Sequence, residues 1–165
     1  MKNNTFYPIL FFFCLTILII SCKNLNKQDQ NGKEDSKSAV KAAIHSTIGW
    51  AKNKDFDLLY SIIANDPDYL EVDPEPGLIR GFEEFKKNEL TWASPDFKAI
   101  RYDIRDLKID LSEQGNVAWF YCILDDINEW KGQPACWMNT RWTGVLEKRD
   151  GKWIMVQMHF SFAKD

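Results

Sequence analysis

Three aspartates that could act as general bases stand where apolar, strand-like segments end. Asp73 ends segment 69–73, and Asp125 and Asp126 follow the apolar part of segment 117–127. A carboxylate in an apolar pocket has a raised pKa, which makes it a useful base near neutral pH. The alternative is ordinary turn chemistry, because aspartate is also common where a strand gives way to a loop. Of the three, Asp73 is the candidate catalytic residue.

His159 is the second candidate base and one of two histidines in the chain. It belongs to segment 153–162, in which alternate side chains point to opposite faces of a strand. One face is apolar and consists of Ile154, Val156, Met158, Phe160 and Phe162. His159 shares the other face with Gln157 and Ser161. If helices cover the apolar face, His159 is expected outside, at the surface or in a dimer interface.

Aromatic side chains are numerous enough to line a pocket. Tryptophan occurs seven times, and aromatic residues make up 14% of the chain. The candidate ligand-binding set is Trp50, Tyr60, Trp92, Trp119, Tyr121 and Trp142. Such a set favours a small hydrophobic ligand. The alternative is that these rings simply form the core, where large apolar side chains usually lie.

Several classes of site and partner are not expected. The two histidines are far apart and no Cys-x-x-Cys pair occurs, so a metal site lacks its usual ligands. No glycine-rich dinucleotide loop or phosphate-binding loop is present, and we expect no cofactor. No Gly-x-Ser-x-Gly segment offers a serine nucleophile. The net charge of −3 comes without a basic patch, which argues against a nucleic-acid partner.

The N-terminus has the organisation of an export signal. Lys2 precedes the apolar stretch 9–20, and a small residue, Ser21, then precedes Cys22. The tetrapeptide Ile-Ile-Ser-Cys at 19–22 resembles the lipobox of bacterial lipoproteins. The resemblance implies cleavage before Cys22, a lipid on that cysteine, and acylation of the new N-terminus by a fatty acid such as palmitate. The alternative, an uncleaved membrane helix, is disfavoured because the apolar stretch is shorter than the roughly 20 residues a span needs.

These features divide the chain into a signal peptide (1–21), a flexible polar tether (22–37) and one domain (38–165). In the domain, helices are predicted over 37–52, 56–64 and 82–92, with Leu90 among the inward residues. Strands are predicted over 69–73, 97–111, 117–127, 137–147 and 153–162, the last two joined by a turn at Asp150-Gly151. The apolar phase changes within 97–111, which predicts a bulge near Arg105-Asp106. Cys122 and Cys136 are predicted to be out of register and therefore reduced.

The order of elements indicates an α+β fold: a curved antiparallel sheet with about three helices over its concave face. Residues 144–161, with 116–119, Asp73-Pro74 and Gly81, resemble the SnoaL-like and ketosteroid-isomerase-like families of the nuclear-transport-factor-2-like superfamily. The resemblance implies a cone of four to six strands with a pocket at its mouth. It also implies a homodimer formed through the outer sheet face.

Three functions remain open at this point. The first is a non-catalytic module that binds a small ligand and is anchored through Cys22 to a membrane of the bacterial envelope, with its domain outside the cytoplasm. The second is an assembly module whose working surface is the outer sheet face around Trp137, Asn139, Arg141, His159 and Ser161. The third is an isomerase- or dehydratase-type enzyme that uses Asp73 or His159 as its base. A titratable group inside an open cavity would favour the enzyme, and a cavity filled by tryptophan would favour assembly.

Overall fold

The computed structural model describes residues 32–74 and 77–163. Its helices are α1 (32–49, followed by the 3₁₀ turn Trp50–Lys52), α2 (Phe56–Ile62), α3 (Phe82–Lys86) and α4 (Glu89–Ala93). The predicted signal peptide, Cys22 and most of the predicted tether lie outside the described residues. Residues 32–37, predicted to belong to the tether, are helical. The compact unit that holds all the features below begins at Lys37.

The third predicted helix is two short ones. The amides of Lys87 and Asn88 donate to carbonyls three residues back, those of Glu84 and Phe85, at 3.1 Å each. Bonds of that spacing tighten the backbone and end α3, so α4 starts in a new direction. The prediction that Leu90 points inward was wrong, because its side chain is 86% exposed.

The strands are β1 (Leu70–Val72), β2 (Leu78–Arg80), β3 (Phe97–Leu111), β4 (Val117–Trp130), β5 (Gln133–Pro134), β6 (Trp137–Arg149) and β7 (Lys152–Ser161). Six of them form a strongly curled sheet in the order β2-β1-β7-β6-β4-β3, and the two-residue β5 pairs with β4. The α+β cone is confirmed, with two differences. β2 was not predicted, and β1 runs parallel to β7, because the long connection between them allows either direction.

Bulges set the curvature of the sheet. The bulge predicted at Arg105-Asp106 is confirmed by a register shift there, with Asp106 at a φ of 55°. A second shift lies in β6, where Asn139 has a φ of 52°. Asp125 joins the two bulges, since it accepts the Asn139 amide at 2.7 Å and pairs with Arg105 at 2.9 Å. Bulges bend a strand and re-aim the side chains beyond them, so this cluster helps to shape the mouth of the cone.

A third bulge, in β7, corrects one prediction. Val145 pairs with Gln157 but Leu146 pairs with Met155, so Val156 is the extra residue. The side chains on either side of it therefore change phase. Trp153 and Met155 are buried before the bulge, and Met158 and Phe160 are buried after it. The single apolar face predicted from Ile154 to Phe162 was wrong, and Phe162 is 46% exposed.

The core lies between the helices and the concave face of the sheet. Its centre is Trp142, whose ring meets Phe120 edge-on at 4.9 Å and stacks on Phe160 at 5.4 Å between centroids. Cys122 is buried opposite Trp142, while Cys136 is exposed, and both are free thiols as predicted. Within residues 32–74 and 77–163, no helix has the length and apolar character needed to cross a membrane.

Candidate functional site

A cavity of about 270 Å³ lies between the helices and the curled sheet. Its lining comes from α1, the 3₁₀ turn, α2, α3, α4 and strands β1, β3, β4, β6 and β7. The lining residues are mostly apolar: Thr47, Ile48, Trp50, Ala51, Leu59, Glu71, Phe85, Trp92, Phe97, Asp126, Asn128, Ala135, Trp137, Met158 and Phe160. A cavity with an apolar wall and a few convergent polar groups is the usual form of a small-ligand site.

Glu71 is the most deeply buried of the ionisable groups in this cavity. It stands in the middle of β1 with its side chain only 7% exposed, and the Tyr69 hydroxyl donates to its Oε2 atom at 2.6 Å. Its cross-strand neighbours, Ile79 and Met158, are apolar. Burial raises the pKa of Glu71 to about 8, and the neighbouring Asp73 carboxyl adds to the rise, although the Tyr69 hydrogen bond opposes it. Glu71 is therefore largely protonated at neutral pH.

Asp126 and Asn128 are a second polar pair in the cavity. β4 continues through both residues, beyond the predicted strand end, because the backbone amide of Ala135 donates to the Asn128 carbonyl at 2.9 Å. The Asn128 Nδ2 atom donates to Asp126 Oδ2 at 2.8 Å. Burial raises the pKa of Asp126, and this hydrogen bond only partly offsets the effect. The Asn128 Oδ1 atom is buried and has no hydrogen-bond partner among the described residues.

Aromatic rings form much of the remaining wall. Trp50 and Trp92 meet edge-on with their centroids 5.2 Å apart, and Phe85 lies 5.2 Å from Trp92. On the opposite side, Trp137 lies 5.3 Å from Phe160. The rings fix one another through edge-on and tilted contacts, which are the favourable aromatic geometries. They line the cavity and leave its volume open.

The structure separates the residues predicted to be catalytic from the cavity lining. Asp73 is half-buried beside Glu71, and burial raises its pKa, while its interaction with Glu71 lowers it. Asp73 does not itself line the cavity. His159 is exposed and pairs with Thr143 in the sheet. Asp125 belongs to the bulge cluster, where the Asn139 amide and Arg105 lower its pKa.

The six predicted ligand-binding aromatics divide into three groups. Trp50 and Trp92 line the cavity. Tyr60 lies outside the lining and donates its hydroxyl to Glu89 at 2.6 Å, and Trp142 is fully buried in the core. Trp119 and Tyr121 are on the other face of β4, exposed by 47% and 37%. The structure thus brings two of the six to the cavity.

Sequence reasoning missed Glu71, the central residue of the site. A signal for it does exist: it is a lone carboxylate in the apolar segment Tyr69-Leu70-Glu71-Val72, two residues after a tyrosine on the same face. Such a residue must be either exposed at a sheet edge or buried as an acid. Whether Glu71 is exposed or buried depends on the pairing of β1 with β2 along one edge and with β7 along the other. The sequence did not predict that pairing.

The site can hold and exchange protons. Two carboxyl groups with raised pKa values line one apolar cavity, and its described lining includes no lysine, arginine or histidine. Such groups can donate a hydrogen bond when protonated, accept one when ionised, and act as general acid or base. Within the described part of the chain, no cluster of three histidine, cysteine or acidic side chains could hold a metal ion.

A curled sheet with helices on its concave face, closed around a cavity, defines the nuclear-transport-factor-2-like (NTF2-like) class. Among solved structures, a candidate scytalone dehydratase from Novosphingobium aromaticivorans is similar, with a TM-score of 0.69 and 10% identity over 82% of this chain and 89% of that one. A candidate dehydratase of the NTF2-like family from Streptomyces avermitilis has a TM-score of 0.66 and 17% identity over 78% of this chain and 96% of that one. An NTF2-like protein of unknown function from Prochlorococcus marinus has a TM-score of 0.62 and 18% identity over 78% of this chain and 94% of that one.

The family itself is defined by sequence. A protein-family model described as a SnoaL-like domain matches residues 40–165, and the chain belongs to that family. No curated protein matches the chain. The resemblance drawn from segments 116–119 and 144–161 is therefore confirmed for family and fold. At these identities the solved structures establish the fold alone.

Proposed function

We propose that this protein is a membrane-anchored, extracytoplasmic module whose cavity binds a small, largely apolar ligand. The observation that carries the proposal is the open cavity of about 270 Å³, with an aromatic wall and the polar groups of Glu71, Asp126 and Asn128. Aromatic walls supply affinity for apolar groups, and a few polar atoms orient the ligand. The tryptophans line the space and do not fill it, which favours binding over pure assembly.

Acid–base catalysis is the second candidate function, and the raised pKa of Glu71 favours it. A general acid or base works best when its pKa is near the operating pH. In an enzyme of isomerase or dehydratase type, Glu71 or Asp126 would exchange the proton, in place of Asp73 or His159. Two of the similar structures bear dehydratase names, which supports this alternative by analogy only.

Blocking the cavity tests the binding proposal. Ala51 lines the cavity, so Ala51→Trp is expected to fill part of it and weaken binding of benzyl alcohol at least about tenfold, through overpacking of the site. Binding is followed by NMR of ¹³C-labelled methionine methyl groups. Met158 lines the cavity and should shift on addition of the probe, whereas Met138 is exposed elsewhere and should not.

The matched control is Ala42→Trp, which adds the same ring to an exposed position of α1, the helix that precedes the 3₁₀ turn of Ala51. It should leave the Met158 response unchanged. A wild-type protein in which benzyl alcohol shifts Met138 but not Met158 would contradict binding in the cavity. Equal binding by wild type and Ala51→Trp would contradict it as well.

The anchoring part of the proposal is tested through Cys22. Cys22→Ser removes the thiol that would carry the lipid, so the protein should lose radiolabelled palmitate and leave the membrane fraction almost completely. Two acyl chains hold a protein at a bilayer stably, at about 0.8 kcal/mol per buried methylene. Cys14→Ser, within the apolar stretch, is the matched control and should keep the label. Unchanged membrane association of Cys22→Ser would overturn lipid anchoring at this residue.

A further inference from the structure

The polar groups of the cavity are biased toward negative charge. Glu71 and Asp126 are its two ionisable side chains, and no basic side chain is present in its described lining. A ligand carboxylate or phosphate would therefore meet two acidic groups and no cation. No basic side chain of the described lining would pair with such a ligand, and any ionisation of Asp126 or Glu71 would add repulsion at short range in a site of low dielectric constant. This bias disfavours anionic ligands.

The aromatic rings of the wall favour positive charge. The face of an aromatic ring carries a partial negative charge, and tryptophan attracts cations most strongly. Six rings line the cavity: Trp50, Phe85, Trp92, Phe97, Trp137 and Phe160. Trp50 and Trp92 stand 5.2 Å apart at one wall, and Trp137 and Phe160 stand 5.3 Å apart at another. The cavity therefore offers a cation aromatic rings from two separate parts of its wall.

A hydrogen-bond acceptor in the lining also lacks a partner. The Asn128 Oδ1 atom is buried without a donor among the described residues, while its Nδ2 atom is occupied by Asp126. A buried acceptor left unsatisfied is costly, and native structures usually provide it with a donor. A ligand N–H or O–H group in the cavity could supply one.

From these observations together we infer that the cavity takes a small organic cation, an amine or quaternary ammonium group on an apolar body. The inference rests on the proposed binding function and narrows its ligand class. The aromatic wall would hold the cation and its apolar substituents. Asp126 and Glu71 would supply the opposite charge, and Asn128 would accept a hydrogen bond from the ligand.

Binding of a cation should be linked to protons. Glu71 has Tyr69 and Asp73 beside it at the two ends of β1, Ile79 opposite it on β2 and Met158 on β7, with Asp126 in the same lining. None of these groups is a cation that could stabilise the Glu71 carboxylate. A bound ammonium group would provide that charge and favour the ionised carboxylate. The affinity for a permanent cation should therefore rise from pH 6 to pH 9, with release of protons into the buffer. The affinity for a neutral ligand should change less.

The test uses three probes of nearly equal shape on the full-length mature protein. They are choline, its neutral carbon isostere 3,3-dimethylbutan-1-ol, and the anion 3,3-dimethylbutanoate. Affinities come from titration of the Met158 methyl signal and from calorimetry in two buffers that differ in ionisation enthalpy. At pH 8, choline should bind at least about tenfold more tightly than the alcohol, and the anion should bind most weakly.

Charge-removing variants identify the groups responsible. Asp126→Asn and Glu71→Gln should each lower the ratio of choline affinity to alcohol affinity. Asp110→Asn makes the same change on an exposed part of β3 and should leave that ratio unaltered.

The outcomes separate the two proposals. If the alcohol shifts Met158 and binds as tightly as choline or more tightly, the cation inference is overturned and the binding function stands. If neither these probes nor benzyl alcohol shifts Met158, both are overturned.

Discussion

Replacing Trp142 with alanine should lower the free energy of unfolding by about 3–5 kcal/mol, the cost typical of deleting a fully buried large aromatic side chain. Trp142 has no exposed surface, and its ring packs between Phe120 and Phe160. Its removal would leave a cavity where the helices meet the sheet. Because domains have a total stability of about 5–15 kcal/mol, the variant should be close to unfolding at physiological temperature. Urea denaturation followed by circular dichroism measures the change.

Two further variants make this result specific. Trp119→Ala deletes the same ring from the outer face of β4, where it is 47% exposed, and should cost less than half as much. Trp142→Phe should also cost less than the alanine variant, because the Trp142 Nε1 atom has no hydrogen-bond partner among the described residues to lose. If Trp142→Ala were no more destabilising than Trp119→Ala, the placement of the core would be contradicted.

The second large effect is a loss of stability as the pH rises from about 5 to 9. In the unfolded chain Glu71 ionises near its ordinary pKa of 4.5, whereas in the folded protein it keeps its proton to about pH 8. Between these values the folded state binds more protons than the unfolded state. The stabilisation by protonated Glu71 is thus fully present below pH 4.5 and is lost as the pH rises to about 8 and beyond. The loss is at most about 1.4 kcal/mol per pH unit for one proton.

Among the described groups with shifted pKa values, His45 opposes this trend up to its ordinary pKa of 6.5, because burial and then Lys41 lower its pKa and the unfolded state binds more protons there. Asp73 and Asp126 also have raised pKa values, so they contribute in the same direction as Glu71. The pKa values of Asp66 and Asp125 are lowered, chiefly by the hydrogen bond from Arg149 and by that from the Asn139 amide. Their stabilisation is lost only in acid, below their ordinary range. Maximum stability is therefore expected between about pH 5 and pH 6.5.

Glu71→Gln is the variant that tests this assignment. The amide cannot ionise, so the melting temperature of the variant should depend much less on pH between 5 and 9. Glu113→Gln, an exposed change in the turn between β3 and β4, is the control and should retain the wild-type dependence. A wild-type melting temperature that stays constant or rises over this range would contradict a protonated Glu71 in the folded protein.

The sequence predicted the elements whose signals are local. α2 starts at Phe56, as predicted, and Asp55 caps it by accepting the Leu58 amide at 2.9 Å. The bulge at Arg105-Asp106 was predictable because the residues around it alternate between apolar and polar, so a change of phase is visible. The bulge at Val156 was not, because residues 153–156 are all apolar, so both faces of β7 carry apolar side chains before the bulge. An extra residue in such a segment causes no visible change in the alternation of apolar and polar residues.

The site was less predictable because it depends on contacts that are distant in sequence. Whether Trp119 or Phe120 faces the core is a choice of sheet face, and alternation alone makes the two equivalent. The strand was predicted to end at residue 127, yet pairing with β5 and β6 extends it through Asn128, and both Asp126 and Asn128 line the cavity. Glu71 is a site residue only because β1 pairs with β7, which lies more than 80 residues further along the chain.

The most direct test of the central claim, an apolar cavity that holds Glu71 and Asp126 as acids, is a ¹³C NMR titration of their carboxyl groups in the full-length protein. Glu71→Gln and Asp126→Asn assign the two signals. We expect Glu71 to titrate near pH 8 and Asp126 above its ordinary value, and addition of choline to shift both carboxyl signals. Two carboxyl groups that titrate near pH 4 and do not respond to a probe that moves Met158 would contradict the claim.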